Sequence, residues 1–260
     1  MFLFFLIAFV WSWLLNLPRV LATAGVIALD AGLSAGLGYA AAFGPAVAAF
    51  GLTFSRSGMA GVKALWGRGW NLRFPKKWLV PALLLMPALG LATLGLMAVF
   101  GQPLSWEYGL PPLMIVPVGL LIWLVGAYPE EYGWRGYALD RLQNRFNPLG
   151  ATLILGVVWG VWHLPLHFIQ GTTQAVIPVW EFVLQTVLLT VIYTWLHNRT
   201  GGSVLIASAF HATGNLTGAV IPYWVTSSGR WLSLIPLVAA VALVLAFNWR
   251  NFTWRSVSEK

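Results

Sequence analysis

The chain is 260 residues long, 59% hydrophobic and only 8% charged, with a mean hydropathy of +0.78 and a net charge of +8. A soluble domain carries about a quarter charged residues, so an ordinary water-soluble fold is excluded. The absence of cysteine excludes disulfides, thiolate metal sites and cysteine nucleophiles.

Long continuous apolar runs predict an all-α fold, a polytopic transmembrane helical bundle, because each spanning helix needs roughly 20 apolar residues. Strands of a membrane barrel would instead be short and alternating. Eight apolar segments are expected at 2–17, 36–54, 78–100, 111–138, 151–168, 178–197, 203–220 and 231–248. The first lacks a basic leader and a small-residue cleavage site, so it reads as a retained span rather than a signal peptide. Stretch 20–35, with Asp30 among small residues, reads as a surface or re-entrant piece, or else as a further span. No second domain is visible, so residues 1–260 form a single integral membrane domain.

With eight spans, every Lys and Arg except Arg19 and Arg230 falls on the side that also carries both termini. Basic loops face the cytoplasm, which predicts an N-in, C-in chain. The 55–77 loop holds six of these residues, and Arg255 and Lys260 lie in the tail. Topology therefore explains the positive charge, and no nucleic-acid partner is implied. The expected partners are the lipid bilayer and a peptide or membrane-protein substrate. Loops 101–110 and 221–230 face the opposite side and are not expected to select that substrate.

Charged groups at membrane depth are costly and mark function. Glu130, Glu131 and Arg135 lie in YPEEYGWRG, at the end of an apolar run. Glu131 and Arg135 are four apart and can pair, while Glu130 points about 100° away from Glu131. His163 follows Trp159 by one turn in WGVWHLPLH, and His167 follows by another turn, near the surface. His211 and Asn215 share a face of SAFHATGN. Each has a bland counterpart: a solvated ion pair, a packing histidine and an interhelical hydrogen-bond pair. Their depth decides among these, since Glu130, His163 and His211 all fall about 12–18 Å from the same membrane surface. A carboxylate to activate water, an imidazole to hold it, and an imidazole with an amide to bind an oxyanion are what peptide hydrolysis needs.

The motifs Glu130-Glu131-xxx-Arg135, Trp159-xxx-His163 and His211-xxx-Asn215, in this order on successive helices, resemble the CPBP family, also called ABI or CaaX-protease-like proteins, the relatives of Rce1. The resemblance covers about 110–220, the expected catalytic core, and Trp159 departs from the Phe of the family pattern. It implies an intramembrane endopeptidase of a bacterial cytoplasmic membrane whose site opens to the cytoplasm. Glu130, His163, His211 and Asn215 would be catalytic, with Glu131, Arg135 and Trp159 supporting them and Trp159 serving packing alone. Zn²⁺ is an open question. If an ion is bound, Glu130, His163 and His211 are its ligands, yet no HExxH motif is present and a glutamate-driven route needs no metal. A non-proteolytic immunity or scaffold protein of the same family is the alternative. A proton-coupled transporter would call for inverted repeats, and the sequence has no convincing internal symmetry.

Overall fold

The computed structural model describes residues 1–103 and 106–253. Among these, every regular element is helical. In chain order they are α1 (Phe2–Thr23), α2 (Ala31–Ala42), α3 (Gly44–Trp70), α4 (Leu79–Val99), α5 (Ile115–Leu121), α6 (Tyr128–Gly133), α7 (Asp140–Gln143), α8 (Pro148–Trp162), α9 (Val179–Arg199), α10 (Val204–Val220) and α11 (Ser227–Thr253). The helices α5, α6 and α7 follow one another without a break from Ile115 to Gln143, joined by two π-helical turns.

Among the described residues, six helical segments are long and apolar enough to cross a membrane, or seven if the α2–α3 pair, bent by 43°, is one span. The helix α10 corresponds to the predicted segment 203–220, the seventh in chain order. Its 17 residues reach about 26 Å at 1.5 Å per residue, short of the roughly 30 Å hydrocarbon thickness. Large apolar side chains such as Leu113, Val99 and Phe247 point outward, as a surface solvated by lipid requires.

Three boundaries depart from expectation for local reasons. Residues 24–30 connect α1 to α2, and Asp30 caps α2 by accepting a hydrogen bond from the Leu33 N–H at 3.0 Å. The expected 55–77 loop is helical as far as Trp70, interrupted at Gly58, whose φ of 59° only glycine adopts readily. The expected span 151–168 ends its α-helix at Trp162, and a 3₁₀ turn over Leu164–Phe168 follows. Pro165 explains the break, because its ring would clash with the Val161 carbonyl in a continuing helix. Arg255 and Lys260 of the expected basic tail lie outside the described residues.

The segment carrying the two glutamates is flanked by π-helical turns at Ile122–Ala127 and Trp134–Leu139. Pro129 has no N–H to bond back one turn, and the widened turns just before it accommodate its ring. Such turns are rare and cluster at functional sites. The segment is pinned to α3: the Tyr132 hydroxyl donates to the Trp66 carbonyl at 2.9 Å, and the Tyr128 hydroxyl donates to the Gly69 carbonyl at 2.5 Å. Gly133 sits directly on Pro45, whose backbone a β-carbon would meet at 2.6 Å. On the other side α8 and α9 pack closely at Gly156, where a β-carbon would meet the Val187 Cα at 2.7 Å. These contacts fix the walls of the site.

Candidate active site

The sequence-predicted residues come together. Glu130, Trp159, His163, His211 and Asn215, drawn from α6, α8 and its end, and α10, line one cavity of about 710 Å³. Glu130, His163 and His211 are buried, whereas Asn215 is more exposed, one turn further along α10. Glu131 and Arg135 do not line the cavity. They lie in its wall, with side chains fully buried.

The two adjacent carboxylates have different environments. Glu131 Oε1 accepts from Arg135 Nη1 at 2.8 Å and from His211 Nδ1 at 2.9 Å. The guanidinium lies over the Tyr193 ring, 3.8 Å from its centroid, and over the Trp159 ring at 4.6 Å. Among the described residues its Nε and Nη2 have no hydrogen-bond acceptor, and the two π-faces supply attraction to the cation there. Glu130 instead faces the cavity. One of its oxygens, Oε2, accepts from the Trp159 indole N–H at 3.0 Å. The expectation that Trp159 serves packing alone is therefore corrected. A tryptophan has an N–H at the ring edge, and this one reaches the carboxylate.

The end of α8 sets His163. Its backbone N–H turns to the Gly160 carbonyl at 3.2 Å, so the Trp159 carbonyl loses the partner a continuing helix would give it. The His163 ring supplies a replacement, with Nδ1 2.8 Å from that carbonyl oxygen. A carbonyl only accepts, so Nδ1 carries the proton and Nε2 keeps a lone pair in the neutral ring. Trp162 and Phe182 hold the imidazole edge-on, with ring centroids 4.7 and 5.0 Å away. The same argument applies to His211: Glu131 accepts from Nδ1–H, which leaves Nε2 for the cavity.

His167 stands apart. Its Nδ1 bonds the Ile177 carbonyl at 3.0 Å and its ring packs against Phe182, which is a structural use. Sequence reasoning missed Tyr193 and Phe182. Both sit on α9, where no motif marks them. Tyr108 and Gly109 from one connecting segment, and Tyr223 and Trp224 from another, also border the cavity. The two loops expected to lie away from any substrate therefore border it, because the cavity extends towards them.

The donor set does not fit zinc. Among the described residues no three His, Cys, Asp or Glu side chains converge as ligands for one ion. The carboxylate nearest His211 lies in the cavity wall and is already neutralised by Arg135. No catalytic step is therefore routed through a metal.

The profile of the type II CAAX prenyl endopeptidase Rce1-like family matches residues 112–217, which span all three motifs. The chain is 30% identical over 196 residues to CAAX prenyl protease 2 of Methanococcus maripaludis, covering 71% of each chain. It is 28% identical over 132 residues to lysostaphin resistance protein A of Staphylococcus epidermidis, covering 49% of this chain and 32% of that relative. With its all-helical membrane architecture and this identity over most of its length, the chain belongs to the CPBP, Rce1-like CAAX protease family.

Proposed function

We propose that the protein is an intramembrane endopeptidase that cleaves a membrane-associated or CAAX-like protein substrate. It would act in a bacterial cytoplasmic membrane with both termini on the cytoplasmic side, and the cavity reaches towards the opposite face, where Tyr108, Gly109, Tyr223 and Trp224 border it. The sorting of the basic residues supports that orientation. One observation carries the catalytic reading: side chains far apart in sequence, Glu130, His163, His211 and Asn215, line one cavity.

The chemistry follows from the free atoms. Trp159 occupies Glu130 Oε2, which leaves Oε1 to accept a proton from water. His163 Nε2, with its lone pair, accepts the second hydrogen of that water. Two acceptors on its hydrogens turn the water's lone pair outward, toward a peptide carbonyl. As water attacks, Glu130 takes its proton and negative charge grows on the carbonyl oxygen. The Asn215 amide donates to that oxygen, and His211 does so from Nε2 when its ring carries a second proton, whose charge the oxyanion then matches. When the C–N bond breaks, Glu130 passes the proton to the leaving amine. Glu131 and Arg135 are cast as the fixed support that orients His211.

The test uses purified protein in liposomes with an internally quenched, farnesylated CAAX peptide as the probe. Glu130→Gln removes the base without changing side-chain size and is expected to abolish cleavage. Cleavage at the wild-type rate by this variant would remove Glu130 from the mechanism. In parallel, membrane peptides from cells expressing wild type or Glu130→Gln would reveal the natural substrate class. The similarity to lysostaphin resistance protein A supports a second reading, a non-proteolytic immunity or scaffold protein. Under that reading the wild type cuts no peptide in either assay, and any cellular phenotype survives Glu130→Gln.

A further inference from the structure

Residue 159 touches four residues of the proposed machinery. Its backbone carbonyl holds the His163 ring at 2.8 Å. Its indole N–H holds Glu130 Oε2 at 3.0 Å. Its ring face covers the Arg135 guanidinium at 4.6 Å, and its edge meets the His211 ring with centroids 5.5 Å apart. Any residue could offer the carbonyl, and any aromatic ring could offer the face. Only the indole N–H is particular to tryptophan.

We propose that Trp159 is the positioning residue for Glu130. The carboxylate of Glu130 lies on a short helix next to wide π-turns and rotates about its terminal torsion over a broad range. A single donor fixed by ring packing removes that freedom. With Oε2 tied to the indole, Oε1 is presented to the water that His163 holds. The donor is itself rigid: the Trp159 ring is wedged between the Arg135 cation and the rings of Tyr193, His163 and His211. The ring meets Glu130 through its N–H and Arg135 through its face, while Arg135 bonds Glu131, so the two carboxylates have different partners.

This inference rests on Glu130 being the base, and the experiment separates the two. Two replacements test it. Trp159→Phe keeps a ring face for Arg135 and deletes the N–H. The tryptophan isostere 3-benzothienylalanine at position 159 keeps the volume and replaces only the N–H by sulfur. A charge-assisted hydrogen bond contributes about 1.5–3 kcal/mol, equivalent to roughly ten- to hundredfold in a rate. On the quenched farnesylated CAAX peptide, both variants should lower kcat about tenfold or more and leave KM within about twofold, since the probe's binding contacts are intact. A residue that only packs would leave the isostere at the wild-type kcat.

A readout independent of turnover accompanies this. The Trp159 indole N–H resonance, assigned by its loss in Trp159→Phe, should move upfield in Glu130→Ala. If Glu130→Gln is inactive while the isostere retains wild-type kcat, the positioning role is overturned and the base stands. If the indole resonance does not move in Glu130→Ala, the hydrogen bond is absent and the proposal is likewise overturned. If Glu130→Gln cleaves normally, the base assignment falls and the positioning role falls with it.

Discussion

The protein builds a carboxylate–arginine–histidine cluster twice, at two depths. In the cavity wall, Glu131 holds Arg135 at 2.8 Å and His211 at 2.9 Å, with the Glu131 and Arg135 side chains fully buried. Where α7 meets α3 and α9, Asp140 holds Arg68 at 2.8 Å and His197 at 2.7 Å, with the Asp140 side chain 39% exposed and Arg68 27%. The chemical groups match, but the surroundings do not. In the wall, charges without water must neutralise one another, and the spare guanidinium atoms rest on aromatic faces. In the outer cluster Arg68 also donates to the carbonyls of Gly136 and Gly202, so it works as a brace between segments. The same ion-pair chemistry builds the wall of the cavity in one place and joins helices in the other.

The strongest way to break this comparison is Arg135→Met. It leaves Glu131 buried with no compensating cation, and breaking a buried pair in this way costs about 3–5 kcal/mol. For a chain of this size that is a fall in apparent melting temperature on the order of 10 °C. Thermal unfolding in detergent, followed by circular dichroism, measures it, and peptide cleavage is expected to vanish because Glu131, the partner of His211, loses the cation that fixes it. A melting temperature within 2 °C of wild type would mean that Glu131 is not a buried anion.

Gly133→Ala sharpens the comparison by moving the wall without touching a charge. The new methyl group would press on Pro45. Overpacking of a tight contact costs about 1–3 kcal/mol, and it displaces α6 and Glu130 with it. Stability should fall by less than for Arg135→Met, while kcat falls because catalytic geometry tolerates little displacement. Unchanged kcat and stability together would show that α3 and α6 are not in close contact.

Legibility in the sequence followed the range of the interactions. The spans were readable because apolar run length is a local property, and the Glu131–Arg135 pair because i,i+4 spacing is local too. The co-levelled Glu130, His163 and His211 were readable because charge and imidazole are rare in apolar helices. The end of α8 before His163 was readable in principle from Pro165, although the depth count ran through it. The indole bond from Trp159 was hidden because it crosses between helices 29 residues apart in sequence. Tyr193 was hidden because a tyrosine in an apolar helix carries no sign of which neighbour it faces. The bend at Gly58 was equally silent, since most glycines in this chain have ordinary helical backbone.

The smallest expected effect belongs to the outer cluster, which was invisible for the same reason: Asp140 is separated from Arg68 by 72 residues and from His197 by 57. Asp140→Asn keeps the shape and removes the charge. Partly exposed ion pairs contribute about 0.2–1 kcal/mol each, and Arg68 retains its carbonyl partners. Stability should fall by about 1 kcal/mol, with kcat and KM unchanged on the same probe. The loss should shrink in high salt, where exposed charges are screened, whereas the effect of Arg135→Met should not. Equal salt sensitivity in the two variants would mean that water reaches Glu131, and the distinction between a dry functional pair and a wet brace would fail.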